Sequence, residues 1–132
     1  MIDFAALERP ASPNTYLVCD ADLTSATPDR DAPRFALSPE ALRDVFLEMI
    51  DDEPRLTRAA FDEASLHYAF VQRTALLRFA DDIDVKFAAA EGGSRLCVYS
   101  RSRVGWSDLG TNRKRVETWL SKLDAAGKRS AP

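Results

Sequence analysis

The apolar positions of this chain fall into two helical stripes separated by a run of alternating segments. Leu42, Val45, Phe46, Met49 and Ile50 recur at the spacing of one helix face. Ser38 ahead of them, with Pro39 and Glu40 in the first turn, supplies a side-chain cap, a preset φ and an acid for the positive helix end. The pattern stops at Asp51-Asp52-Glu53-Pro54. A strand is then predicted over Arg55–Asp62, and a second over Ser65–Arg73, which sets Leu66, Tyr68 and Phe70 against His67, Ala69, Val71 and Arg73. Thr74–Asp82 reads as a long connection or bulged segment with Leu76, Leu77 and Phe79 tucked beneath it. Ile83, Val85 and Phe87 alternate with Asp84 and Lys86, the signature of a strand with one wet face. Glu91-Gly92-Gly93-Ser94 is a hairpin turn, and Arg95–Arg103 is the last strand. A closing helix, capped by Ser107 or Asp108 and ending near Gly127, carries Leu109, Asn112, Arg113, Val116, Leu120 and Leu123 as its stripe. On that phase Asn112 and Arg113 face the sheet and need partners, for which Asp82, Asp84 or a strand carbonyl are available.

The order helix, antiparallel meander, helix predicts an α+β fold. Its two layers are a curved antiparallel sheet of four to five strands and two main helices packed on one face. At 132 residues the chain is read as a single domain, 1–132. Residues 1–36 hold four of the seven prolines. They are expected to be largely irregular, with one short strand at Thr15–Cys19 on the sheet edge.

Charge changes the picture by its distribution. The net charge is −3, but residues 1–94 carry 9 Lys/Arg against 18 Asp/Glu, while 95–132 carry 9 against 3, or −9 and +6. A basic C-terminal part suits either an anionic partner or internal neutralisation by the acidic remainder. Within it, Tyr99 to Arg115 gathers Arg101, Arg103, Arg113, Lys114 and Arg115 with Tyr99 and Trp106 at a strand-to-helix junction, where backbone N–H groups favour anions.

The candidate ligand-binding set is therefore Arg73, Tyr99, Arg101, Arg103, Trp106, Ser107, Asp108, Asn112 and Arg113. Arg73 shares a strand face with His67, and Arg101 shares one with Cys97 and Tyr99. Were those strands neighbours, the two guanidiniums would converge on a carboxylate or phosphate. The competing reading is a structural network in which Arg101, Arg103 and Arg113 tie strand to helix through Asp84 and Asp108.

No catalytic residue is assigned. His67 is the sole histidine and so the single candidate base for any nucleophilic arrangement. Asp81-Asp82-Ile83-Asp84 lacks the glycine and terminal glutamate of a calcium loop and reads as solvated or arginine-paired acids, so no metal and no cofactor is assigned. Nucleic acid is disfavoured by a sequence pI near 5.2. An apolar cavity lined by Phe61, Tyr68, Phe70, Phe79 and Phe87 competes with the use of the same rings to fill the core. Cys19 and Cys97 have no metal-ligand spacing; Cys97 reads as a small buried hydrophobe, and a disulfide between the two is expected only of an exported domain.

The run Tyr99-Ser100-Arg101-Ser102-Arg103-Val104-Gly105-Trp106-Ser107-Asp108-Leu109-Gly110, continued by Asn112-Arg113-Lys114-Arg115-Val116-Glu117, resembles the signature of domain-of-unknown-function family 1499. Val71–Leu76, Phe79, Asp81–Val85 and Ser12-Pro13-Asn14 extend the likeness from about Ser12 to Leu123. The resemblance implies a bacterial or plastid protein and no particular activity. Members of the family often carry an N-terminal membrane or export segment. None is legible in Met1-Ile2-Asp3-Phe4, and no apolar run is long enough to span a bilayer, so a soluble, cytoplasmic protein is expected, with an exported or anchored one as the alternative. Together these readings give a non-enzymatic binding or accessory module for a small anionic ligand or protein partner. The alternative is a small enzyme acting on an anionic substrate through the same arginines.

Overall fold

The computed structural model describes residues 1–10, 14–104 and 110–130, with side chains described as far as Gly127. Element order is β1 (Thr15–Val18), β2 (Arg34–Phe35), α1 (Pro39–Ile50), β3 (Leu56–Asp62), β4 (His67–Arg73), β5 (Ala80–Ala90), β6 (Gly93–Ser102) and α2 (Thr111–Ser130). The strands form one antiparallel sheet in the order β1-β6-β5-β4-β3, and β2 pairs with the start of β6 on the edge that β1 occupies further along. Both helices pack on one face of the sheet, so the α+β expectation holds with six strands rather than four or five. The additional strand is β2, only two residues long, inside the segment expected to be irregular. Gly93 is indispensable to it, because a Cβ there would stand 1.9 Å from the Phe35 carbonyl oxygen.

Helix α1 starts as its sequence dictates: the Ser38 Oγ accepts from Ala41 N at 3.1 Å, a cap worth about 1 kcal/mol. Leu42, Phe46 and Ile50 are its buried stripe. Between helices and sheet, Phe46 meets Phe70, Phe87 and Trp119 at ring-centroid distances of 6.0, 5.5 and 6.0 Å. Tyr68, Phe70 and Phe87 thus fill the core instead of lining a cavity, while Phe61 and Phe79 lie 67% and 45% exposed.

The far side of the sheet is not wet. Phe4 and Leu7 pack there against Leu17, Cys19, Cys97 and Tyr99, making a second core from the N-terminal segment. Asp84, expected on a solvated face, is 1% exposed beneath that cover. Cys19 and Cys97 lie in the same layer, joined in a disulfide across 78 residues of chain, so neither is the free thiol expected of Cys97.

The segment Thr74–Asp82 also departs from expectation. β5 begins at Ala80, so the connection is Thr74–Phe79, and it closes on itself: Thr74 N donates to Phe79 O and Phe79 N donates to Thr74 Oγ1, at 2.9 and 3.0 Å. A loop pinned so tightly cannot fold its side chains under the sheet, and Leu76 and Leu77 stand 93% and 69% exposed. Helix α2 begins at Thr111 and continues past Gly127, which packs over Phe35 and Leu37 rather than ending the helix. The residues expected to cap it, Ser107 and Asp108, lie outside the described residues, as does Leu109 of the expected stripe.

Candidate functional site

Strand β5 distributes its carboxylates to both faces of the sheet, and each is met by an arginine. On the helix side Asp81 accepts from Arg115 Nη2 at 2.7 Å. The same guanidinium donates from Nε to Gln72 Oε1 at 2.6 Å, and from Nη1 to Ser100 Oγ and Asn112 Oδ1 at 3.0 and 2.9 Å. Asn112 is fully buried; its Nδ2 donates to the Asn14 carbonyl and to Ser102 Oγ, and its Oδ1 accepts from Ser100 Oγ at 2.6 Å. This network locks the first turns of α2 to the ends of β4, β5 and β6. It answers the expected need of Asn112 for partners, although the carbonyl among them is that of Asn14, just before β1 rather than within a strand. The inward-facing guanidinium, however, is that of Arg115. Arg113 is exposed, because the stripe runs through 112, 115, 116, 119, 120 and 123.

On the other face Asp84 accepts from Arg101 Nη1 at 2.7 Å and from Ile2 N at 3.3 Å, and is hydrogen-bonded to His67 Nε2 at 2.7 Å. Burial opposes ionisation of Asp84, but the bonds to His67 and Arg101 outweigh it and hold the carboxyl below its ordinary pKa. Arg101 also lies over the Tyr99 ring, 5.0 Å from its centroid. Arg103 grips Asp82 with two bonds of 2.8 Å and lowers its pKa, burial opposing. Asp81, Asp82 and Asp84 therefore lie within a strand and are paired with arginine; among the described residues no group of acids, histidines or cysteines is arranged to hold a metal ion.

Arg73 and Arg101 do share a face, but β4 and β6 are not neighbours. β5 runs between them, with Asp82 opposite Arg101 and Val71 opposite Asp82. The structure therefore brings Tyr99, Arg101 and Arg103 together on one face, gathers Asn112 into the network on the other, and leaves Arg73 and Arg113 at the surface. Trp106, Ser107 and Asp108 lie outside the described residues.

At the hairpin end of the sheet the arginines are likewise occupied: Arg95 bonds Asp20 and Asp22 and Arg34 bonds Asp20; burial opposes ionisation of Asp20, but these bonds outweigh it, and both carboxyls stay below their ordinary pKa values. Arg9, Arg30, Arg43 and Arg58 have carboxylates of their own. Among the described side chains, the arginines without an ion pair are Arg55, Arg73, Arg78 and Arg113. All four sit toward the other strand end of the sheet, Arg55, Arg73 and Arg78 about β3 and β4 and Arg113 on the side of Tyr16 in β1. Arg55 precedes β3, Arg73 ends β4, Arg78 lies in the β4–β5 loop, and Arg113 is in the first turn of α2. Arg55 Nε donates to the Arg73 carbonyl and Arg73 Nη1 to the Arg78 carbonyl, at 2.9 and 3.0 Å, which links three of them in series. Arg55 and Arg78 are absent from the set expected from sequence. Their φ values of 57° and 58°, which place two bulky residues in the left-handed region, are not legible without coordinates.

A family model described as "Protein of unknown function (DUF1499)" matches residues 7–123. No curated protein matches the chain. Among solved structures, the crystal structure of Ara h 8.0201 is similar at 13% sequence identity, over 85% of this chain and 92% of that one, with a TM-score of 0.55. At that identity the likeness concerns the fold alone.

Proposed function

The chain belongs to the family of proteins of unknown function DUF1499, and we propose that it acts as a non-enzymatic binding module whose anion-favouring surface is the end of the sheet carrying Arg55, Arg73, Arg78 and Arg113. One observation carries this reading. In a chain of net charge −3, every other arginine with a described side chain is neutralised by a carboxylate, while these four are not and lie at one end. Guanidiniums without ion pairs at one end of a sheet draw anions and orient them. Of the expected strand-to-helix junction this reading keeps Arg113, and of the expected ligand-binding set Arg73 as well. Arg101, Arg103 and Asn112 are assigned to bracing, since Asp84, Asp82 and the Asn14 carbonyl already hold them. The Cys19–Cys97 disulfide favours an oxidising compartment as the place of work.

Heparin, a flexible soluble polyanion, is the probe for a calorimetric test. The wild-type chain should bind it with an affinity that falls as salt rises. The double variant Arg73→Glu/Arg113→Glu should bind about tenfold more weakly or worse, at an unchanged melting temperature. Arg101→Ala should do the reverse, lowering the melting temperature while binding persists. Equal heparin affinity for the wild type and the Arg73→Glu/Arg113→Glu variant would overturn the reading.

A further inference from the structure

Arginines do not account for all that the β4–β5 loop exposes. Leu76 is 93% exposed, Leu77 69% and Phe79 45%, an apolar group of this size on a tip of six residues. Such a group in water is a cost that monomeric proteins rarely keep without a use. The loop is also stiff: Thr74 closes it through two bonds to Phe79, and the Arg73 side chain braces the Arg78 carbonyl. Its apolar side chains are thus held out by the backbone, with Arg73 and Arg78 flanking them and Arg55 tied to Arg73 beside them.

We propose that this loop docks the protein on an anionic lipid surface, with Leu76, Leu77 and Phe79 entering the interfacial layer and Arg55, Arg73 and Arg78 meeting headgroup phosphates. The inference rests on the reading of the basic end given above and names its partner. Charge complementarity selects the occupant. Apolar tips ringed by unpaired cations match a surface that is apolar within and anionic at its rim. A second copy of the chain does not fit, because a two-fold interface here would bring each arginine group against its own image. A nucleic acid offers phosphates but nothing for two leucines to enter. Among the described residues no helix is long and apolar enough to cross a membrane, so attachment through this loop is peripheral.

Sedimentation of the full chain with lipid vesicles tests the proposal. The chain should sediment with vesicles of phosphatidylcholine mixed with phosphatidylglycerol, should stay in solution with phosphatidylcholine alone, and should be released by salt. Leu76→Ser/Leu77→Ser should lower partitioning by about tenfold or more. Arg78→Glu should lower it by about fivefold or more. The two leucines are too exposed for their loss to unfold the domain, and an unchanged melting temperature verifies this. Wild-type partitioning by the leucine variant overturns the proposal, and so does failure of the wild type to bind mixed vesicles. If vesicles fail while heparin binding still depends on Arg73 and Arg113, the lipid inference falls and the anion-binding module stands; if both fail, neither survives. A dimer in sedimentation velocity that the leucine substitutions dissolve would assign the loop to self-association and overturn the lipid role.

Discussion

Arg115 Nη2 and Asp81 Oδ2 meet at 2.7 Å with their side chains only 8% and 1% exposed, which joins the second turn of α2 to the start of β5. Removing one partner leaves the other charged and out of water. Arg115→Ala is therefore expected to cost roughly 3–5 kcal/mol in urea unfolding. The double replacement Asp81→Leu/Arg115→Met should recover most of that, since a buried pair contributes less than its breakage costs. A single variant within about 1 kcal/mol of wild type would show that the pair carries no structural weight.

The second prediction concerns acid. Asp84 titrates below its ordinary value because His67 and Arg101 stabilise the carboxylate against the opposing effect of burial. A group whose folded pKa is depressed contributes stability above its unfolded pKa, about 3.9, and loses that contribution as pH falls through the folded value. The domain should therefore weaken steadily below about pH 4. Asp84→Asn should be less stable at neutral pH, since it removes the negative charge and one of the two acceptor oxygens that meet Arg101 and His67, and should lose less on acidification. Asp20 and Asp82, also depressed, keep part of the slope in the variant. Identical acid slopes for the two chains would remove Asp84 from the account.

How much of this was legible in the sequence varies with the physical signal. α1 was readable to the residue, since a capping serine, a first-turn proline and a stripe at helical spacing agree on one answer. The β4–β5–β6 meander was readable because alternation and a Gly-Gly turn fix strands and hairpin. The buried far face was not. Alternation reports polarity, and Asp84 reads as wet although the chain has a Phe4–Leu7 segment to lay over that face. The phase of α2 was misjudged by centring it on Arg113. The spacing 112, 115, 116, 119, with tryptophan at the fourth position, was available and puts Arg115 inward. Arginine pairing was legible only in part: Asp84 was named as a partner for Arg101, but Asp20, Asp29, Asp51 and Glu117 reach their arginines from other elements that only the fold brings together.

Cys19 and Cys97 are both fully buried, and their bond ties the connection after β1 to the middle of β6. Protein refolded with an oxidant should show no free thiol under denaturing conditions. Cys19→Ser/Cys97→Ser should lose roughly 2–5 kcal/mol, because the bridge restricts the unfolded chain over a long loop. A titration that finds two thiols per chain in that oxidised protein would show the pair unjoined.

Tyr16 supplies a test at the alkaline end. Its hydroxyl donates to Glu117 Oε1 at 2.6 Å, and Glu117 is in turn held by Arg30. Burial comes first, and the hydrogen bond to Glu117 and its negative charge add to it, pushing the phenol up to about 12. A folded pKa above the unfolded one means a contribution that is complete below pH 10 and lost as pH rises from 10 towards 12. Ultraviolet titration of the wild type should therefore show the Tyr16 phenol ionising late. Glu117→Gln removes the negative charge while leaving an acceptor in place, so the late midpoint should fall but stay above 10. If the late phase persists unchanged in Glu117→Gln, the carboxylate has no part in holding the proton on Tyr16, and the tie between β1 and α2 is packing alone.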